Sequence, residues 1–189
     1  MRQLSQVELA QFLIEKADQY AKFSFIQDDP IQIPHAFSSA EDIEISALIA
    51  ATLSWGNRKT IIAKSNDLMD RMDRSPAEFI RSASESDLEA FNGFVHRTFQ
   101  SEDIKGLARS LRMLYQEHNS LGDFFKMHVR EGDSHLGHSF QKFKEYLLDN
   151  GLPLRAGKHF GDPSKGSACK RLIMFTRWMV RTNTEGIDF

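Results

Sequence analysis

Apolar residues recur at helical spacing through most of the chain, and most of these runs are preceded by a capping signal. Ser5-x-x-Glu8 has the form of a capping box, with Leu4 and Leu9 placed to staple the start of a helix running to about Tyr20. Ser39 precedes a second helix with Asp42 at its third position, and residues 43–53 of that helix are apolar almost all round, as in a central buried helix. Trp55-Gly56-Asn57 breaks it. Residues 58–72 resume with Ile61, Ile62, Leu68, Met69 and Met72 on one face, which predicts a helical hairpin. Ser75-Pro76-x-Glu78 and Ser86-x-x-Glu89 mark two more helix starts, and Ser101 is placed to cap a helix with a stripe of Ile104, Leu107, Ala108, Leu111, Leu114 and Tyr115. Helices over 121–129 and 140–148 follow, the latter stopped by Asn150-Gly151.

Between these runs lie two long connections. The Pro30 and Pro34 rings predict an extended loop over 28–35. The longest loop, 151–165, is rich in Gly, Pro and basic residues, and loops of that length usually carry function. No hairpin signal, internal repeat or low-complexity tract interrupts the pattern. The expected fold is all-α: a single compact multi-helix domain over residues 1–189.

Composition changes this picture little. The chain has 189 residues, 41% of them hydrophobic, and no apolar run long enough to span a bilayer. The polar N-terminus has no secretory pattern, and the single cysteine, Cys169, suits a reducing compartment, so the expected location is the cytoplasm. Cys169 lies near a helix start beside Lys170, where a thiolate is favoured; without a catalytic partner it reads as a packing residue.

Charge is more informative. The whole chain carries −2, yet from Arg155 to Arg181 there are seven Lys or Arg against one Asp. Within that stretch, Asp162-Pro163-Ser164-Lys165-Gly166-Ser167-Ala168-Cys169-Lys170-Arg171 reads as a small-residue turn opening into an amphipathic helix. Gly166, Ser167 and Ala168 are expected to form its first turn with uncovered amides, ringed by Lys165, Lys170 and Arg171, where an anion is attracted by the helix terminus. A solvated basic face on an ordinary helix explains the same residues. Trp55, Asn57, Arg58 and Lys59 offer a stacking face and phosphate contacts together; the alternative is a Trp packed under the hairpin with Asn57 as a cap. Nucleic acid is therefore the leading partner, a protein partner is the alternative, and no cofactor is implied.

Other chemistry is weaker. Gly161-x-x-x-x-Gly166 has P-loop spacing, but Ser167-Ala168 replaces the Lys-Ser/Thr pair and no strand precedes it. Asp28, Asp29 and His35 could supply acid and base for a hydrolase, or simply serve turns and caps. Glu131, Asp133, His135 and His138 are metal-ligand types in one short segment, equally explained as a solvated loop, and no metal is expected. Trp178 and Phe175 read as core.

Four motifs in order, Asp28-Asp29-Pro30-x-x-x-Pro34-His35, Leu53-Ser54-Trp55-Gly56-Asn57-Arg58-Lys59, His96-Arg97-Thr98-Phe99 and the Gly166 to Arg181 segment, resemble an uncharacterised bacterial family catalogued as a domain of unknown function. The resemblance runs from about Phe23 to Phe189. Members of that family usually continue past the position of Phe189, so the resemblance implies that a C-terminal segment is lacking here. The family is distantly similar to helix-hairpin-helix DNA glycosylases. That similarity implies that residues 47–72 form the helix pair, that residues 163–171 correspond to half of the DNA-anchoring hairpin, and that Lys170 is the nearest candidate for the catalytic Lys; Ala168 takes its place in the simplest superposition.

Overall fold

In the computed structural model, residues 4–20, 22–181 and 186–189 are described; residues 1–3, part of the polar N-terminus, lie outside them. Eight α-helices are present among them: α1 (Gln6–Tyr20), α2 (Ala40–Leu53), α3 (Arg58–Arg71), α4 (Pro76–Ser82), α5 (Ser101–Glu117), α6 (Leu121–Met127), α7 (Gly137–Asp149) and α8 (Lys170–Val180). A two-residue hairpin, β1 (Val95–His96) against β2 (Phe99–Gln100), makes the one small antiparallel sheet of the described residues. The fold is all-α. The hairpin has no period-2 run behind it; Arg97 at its turn adopts a left-handed φ of 55°, a conformation that pattern reading does not anticipate.

α2 is the axis of the molecule. Ala47, Leu48, Ala50, Ala51 and Leu53 are fully buried, and Ile43 is half-buried. α8 and α3 pack on it most extensively, and Phe143, Phe160, Phe175 and Trp178 belong to the same core. The Ser39 hydroxyl accepts the Asp42 amide at 3.1 Å, while Asp42 Oδ1 reaches across to the Ala77 amide at 2.9 Å and caps α4 in place of Ser75. At α6 the Ser120 hydroxyl caps the Asp123 amide, and Glu44 adds to it by accepting the Leu121 and Gly122 amides and the Tyr115 hydroxyl. Desolvation and the Glu44 charge push the Tyr115 hydroxyl pKa well above its usual value.

Three local expectations are corrected. The 28–35 segment is not an extended loop: 3₁₀ turns cover Phe23–Asp28, Pro30–Gln32 and Pro34–Ala36, with Asp29 alone extended between the first two, because the φ fixed by proline suits the first position of such a turn as well as it suits extended chain. Ser101 is the first residue of α5, not its cap; the Gln100 amide is held by Asp103 Oδ2 at 2.8 Å, and the Ser101 hydroxyl turns to the Phe94 carbonyl. Residues 166–168 do not start α8, which begins at Lys170. Gly166 takes a left-handed φ of 76° and ends a single 3₁₀ turn, Pro163–Lys165, capped by Asp162.

α1 forms as its capping box requires, with Ser5 and Glu8 exchanging both bonds, but none of its residues is buried. No helix of the described residues is long and apolar enough to cross a membrane. Near the centre, Gly106 of α5 lets the 151–153 segment lie against the helix: a Cβ there would stand 2.4 Å from Pro153 Cδ and 2.6 Å from the Gly151 carbonyl. Alanine is intrinsically the better helix former by about 1 kcal/mol. Gly106→Ala is nevertheless expected to destabilise the protein by about 2 kcal/mol through overpacking, seen as a lower urea midpoint; an unchanged or raised midpoint would contradict this packing.

Candidate anion-binding site

The first turn of α8 meets the end of α2 through one side chain. Arg171 Nη1 donates to the Thr52 carbonyl at 2.9 Å, satisfying an acceptor in the last turn of α2 that has no partner within the helix. Its guanidinium carbon lies 4.9 Å from the Trp55 ring centroid. Burial lowers the Arg171 pKa from its usual value, yet a guanidinium stays charged. Trp55 also meets His96 edge-on at 4.7 Å and His159 at 4.9 Å between centroids, and His159 rests edge-on against Phe99 at 5.2 Å. Three segments far apart in sequence, 52–55, 96–99 and 159–171, therefore converge on one indole.

His159 is 5% exposed, and burial with the charges of Arg171, Lys158 and Arg155 and the neighbouring His96 ring brings its pKa down to about 4. It is neutral at pH 7. Arg171 Nη1 faces His159 Nδ1 at 3.5 Å, and since arginine can only donate, Nδ1 is the acceptor and the proton resides on Nε2. That Nε2 has no hydrogen-bond partner among the described residues. His96, 2% exposed, is lowered chiefly by burial as well. The Leu53 and Trp55 carbonyls nearby oppose that shift, yet neither stands in hydrogen-bonding geometry.

Beside this stack opens a pocket of about 270 Å³ whose wall includes Lys158, His159, Ser167, Cys169, Lys170 and Arg171. Cys169, with a left-handed φ of 46°, provides no side-chain cap, so the positive end of α8 opens toward its surroundings. Gly161 is in the same wall because a side chain would not fit: a Cβ would lie 2.7 Å from Ser167 Oγ and 2.8 Å from Cys169 Sγ. The Cys169 thiol is buried, and burial raises its pKa, consistent with packing.

Of the residues singled out from sequence, Ser167, Lys170 and Arg171 line the pocket, and Trp55 backs Arg171. Gly166 and Lys165 sit in the preceding turn outside the wall, Lys165 with its side chain 80% exposed and 3.9 Å from Asp162. Asn57 caps α3 by accepting the Thr60 amide at 3.3 Å. Arg58 lies 5.8 Å from the Phe25 ring and Lys59 is exposed; burial raises the Asp29 pKa above its usual value, opposed in part by the Ile31 amide and by the charges of Arg58 and Arg177. Asp29 accepts the Ile31 amide, Asp28 is exposed, and His35 Nε2 donates to the Ile187 carbonyl at 2.8 Å while its ring meets Phe189. Among the described residues no three His, Cys, Asp or Glu are grouped to hold a metal: Asp133 accepts the Arg130 amide and His135 the Gly137 amide. Lys158, His159, His96 and Gly161 are functional candidates that helical periodicity does not single out. The available signal was the basic 151–165 loop that carries three of them.

Fold and pocket together define an all-α protein with a cationic pocket at a helix N-terminus. The chain belongs to the family described as "Protein of unknown function (DUF2400)", which matches residues 29–189 and thus leaves α1 outside. No curated protein and no solved structure matches it.

Proposed function

We propose that this protein binds nucleic acid, holding a backbone phosphate in the pocket of Lys158, His159, Lys170 and Arg171. The observation that carries the reading is the pairing of an uncapped helix N-terminus with a buried, neutral His159 whose Nε2–H lacks an acceptor. A phosphate oxygen supplies that acceptor, and Lys158 and Lys170, both exposed at the rim, complement its charge. The helix-hairpin-helix glycosylase-like arrangement belongs to the same proposal: α2 and α3 stand for the helix pair, and the turn into α8, packed on α2, stands for the anchoring hairpin. Trp55 contributes as the platform that holds Arg171 and His159 rather than as an open stacking surface. The buried single cysteine is compatible with a cytoplasmic location.

Fluorescence anisotropy with labelled single-stranded and duplex oligonucleotides at low salt tests this. Lys158→Glu combined with Lys170→Glu is expected to weaken binding at least about tenfold and to reduce the slope of log affinity against log salt by about 2, one for each lost phosphate contact. Lys16→Glu on α1, outside the pocket wall, is the comparison. Equal losses from both would reduce the effect to bulk charge. If the intact chain binds no oligonucleotide at low salt, the reading fails and a protein partner takes the place of nucleic acid.

A further inference from the structure

A second pocket, of about 340 Å³, adjoins the cationic one, and the two share Ser167, Ala168 and Cys169. Its character is opposite. Leu136, Phe140, Pro163 and Ile173 give it a largely apolar lining, with His135 and the Ser167 hydroxyl as polar groups. The Thr176 hydroxyl in its wall is already committed to the Leu172 and Ile173 carbonyls. One three-residue segment thus separates a place for an anion from a place for an apolar body. The segment has little freedom to shift: Gly161 packs against Ser167 and Cys169 too closely for a Cβ, and the Ser167 hydroxyl accepts the Cys169 amide at 3.2 Å.

Building on the phosphate reading, we propose that the paired pockets bind a nucleoside phosphate unit, with the phosphate among Lys158, His159, Lys170 and Arg171 and the base in the apolar pocket beside Ile173 and Phe140. A flat heteroaromatic ring has faces to bury against such a lining and edge groups for His135 and Ser167. A bare phosphate or a sugar phosphate would leave the second pocket unused. The unit can be a free mononucleotide or the terminal nucleotide of a strand, since both present the same chemistry.

Calorimetric titration of the intact chain with ribose 5-phosphate, adenosine monophosphate and a 5′-phosphorylated hexanucleotide separates the cases. Adenosine monophosphate is expected to bind about tenfold more tightly than ribose 5-phosphate, the return for burying the base. Ile173, half exposed and lining only the apolar pocket of the pair, is the residue to change. Ile173→Asn, which removes apolar surface without adding charge, should bring adenosine monophosphate down to the affinity of ribose 5-phosphate, and Ile173→Leu should keep the preference. Tighter binding of the hexanucleotide assigns the unit to a strand end, and equal binding assigns it to the free nucleotide. Equal affinity for adenosine monophosphate and ribose 5-phosphate in the unaltered protein overturns the base pocket but leaves phosphate binding standing. Failure of all three ligands to bind overturns both.

Discussion

Arg171→Ala is expected to cost the protein about 3–4 kcal/mol of stability and to abolish binding of phosphate-bearing ligands in the same stroke. The stability loss has two sources. The Thr52 carbonyl, at 3% residue exposure, loses a charged donor at 2.9 Å, and hydrogen bonds to charged groups contribute about 1.5–3 kcal/mol. The guanidinium over Trp55 contributes about 0.5–2 kcal/mol more in a partly desolvated setting. Arg171→Met, which keeps an unbranched stem against the indole, should recover little, because the lost groups are the donor and the charge. Arg171→Lys is the informative variant: a point charge can still attract phosphate, but one ammonium cannot lie flat on Trp55, reach Thr52 and face His159 together. Partial ligand binding without recovered stability is the expected outcome, read by urea titration beside anisotropy. Wild-type stability in Arg171→Ala would mean that the α2–α8 junction does not depend on this side chain.

That junction also shows where sequence reading stops. The apolar wrap of residues 43–53 was enough to place α2 at the centre, because a helix without a polar face has to be surrounded. Trp55 and Arg171 were both conspicuous, one at a helix break and the other in a basic turn. Nothing in a one-dimensional pattern says that they touch across a separation of 116 positions. His96 and His159 belong to no periodic stripe, and their importance comes from burial and from partners that only folding supplies. α8 starts at Lys170 and not at Gly166–Ala168 because Gly166 and Cys169, both left-handed, bracket residues 166–169 out of helical geometry, a backbone choice that small residues permit but spacing does not reveal. α1 is the converse case. Its caps and spacing made a helix legible, while its apolar side chains, Val7 at 76% and Ile14 at 62% exposure among them, belong to no core that the pattern could have assigned.

Between pH 6.5 and 4 the protein is expected to lose up to about 3 kcal/mol of stability through His159 alone. The folded-state pKa of about 4 lies below the ordinary histidine value, so in this window the unfolded chain binds a proton that the folded chain refuses. Stability therefore rises with pH across the window, is fully recovered above pH 6.5, and falls as the solution is acidified. His96, also lowered by burial, adds to the slope in the same direction. Carboxylates held below their usual range by hydrogen bonds, such as Asp87 and Asp162, contribute at the acid end, so the readable interval is about pH 4.5 to 6.5. His159→Gln should flatten most of the slope there, leaving the part due to His96, while lowering stability at pH 7 through the lost contacts with Trp55 and Phe99. Bound phosphate should act in the opposite sense to burial: an anion at Nε2 favours the imidazolium, raises the His159 pKa and makes inorganic phosphate bind more tightly as pH falls toward 5. Urea unfolding at several pH values with and without phosphate reads both effects. If phosphate stabilises the protein equally at pH 5 and pH 7.5, after allowance for its own ionisation, His159 does not face the anion and the pocket must hold it through Lys158, Lys170 and Arg171 alone.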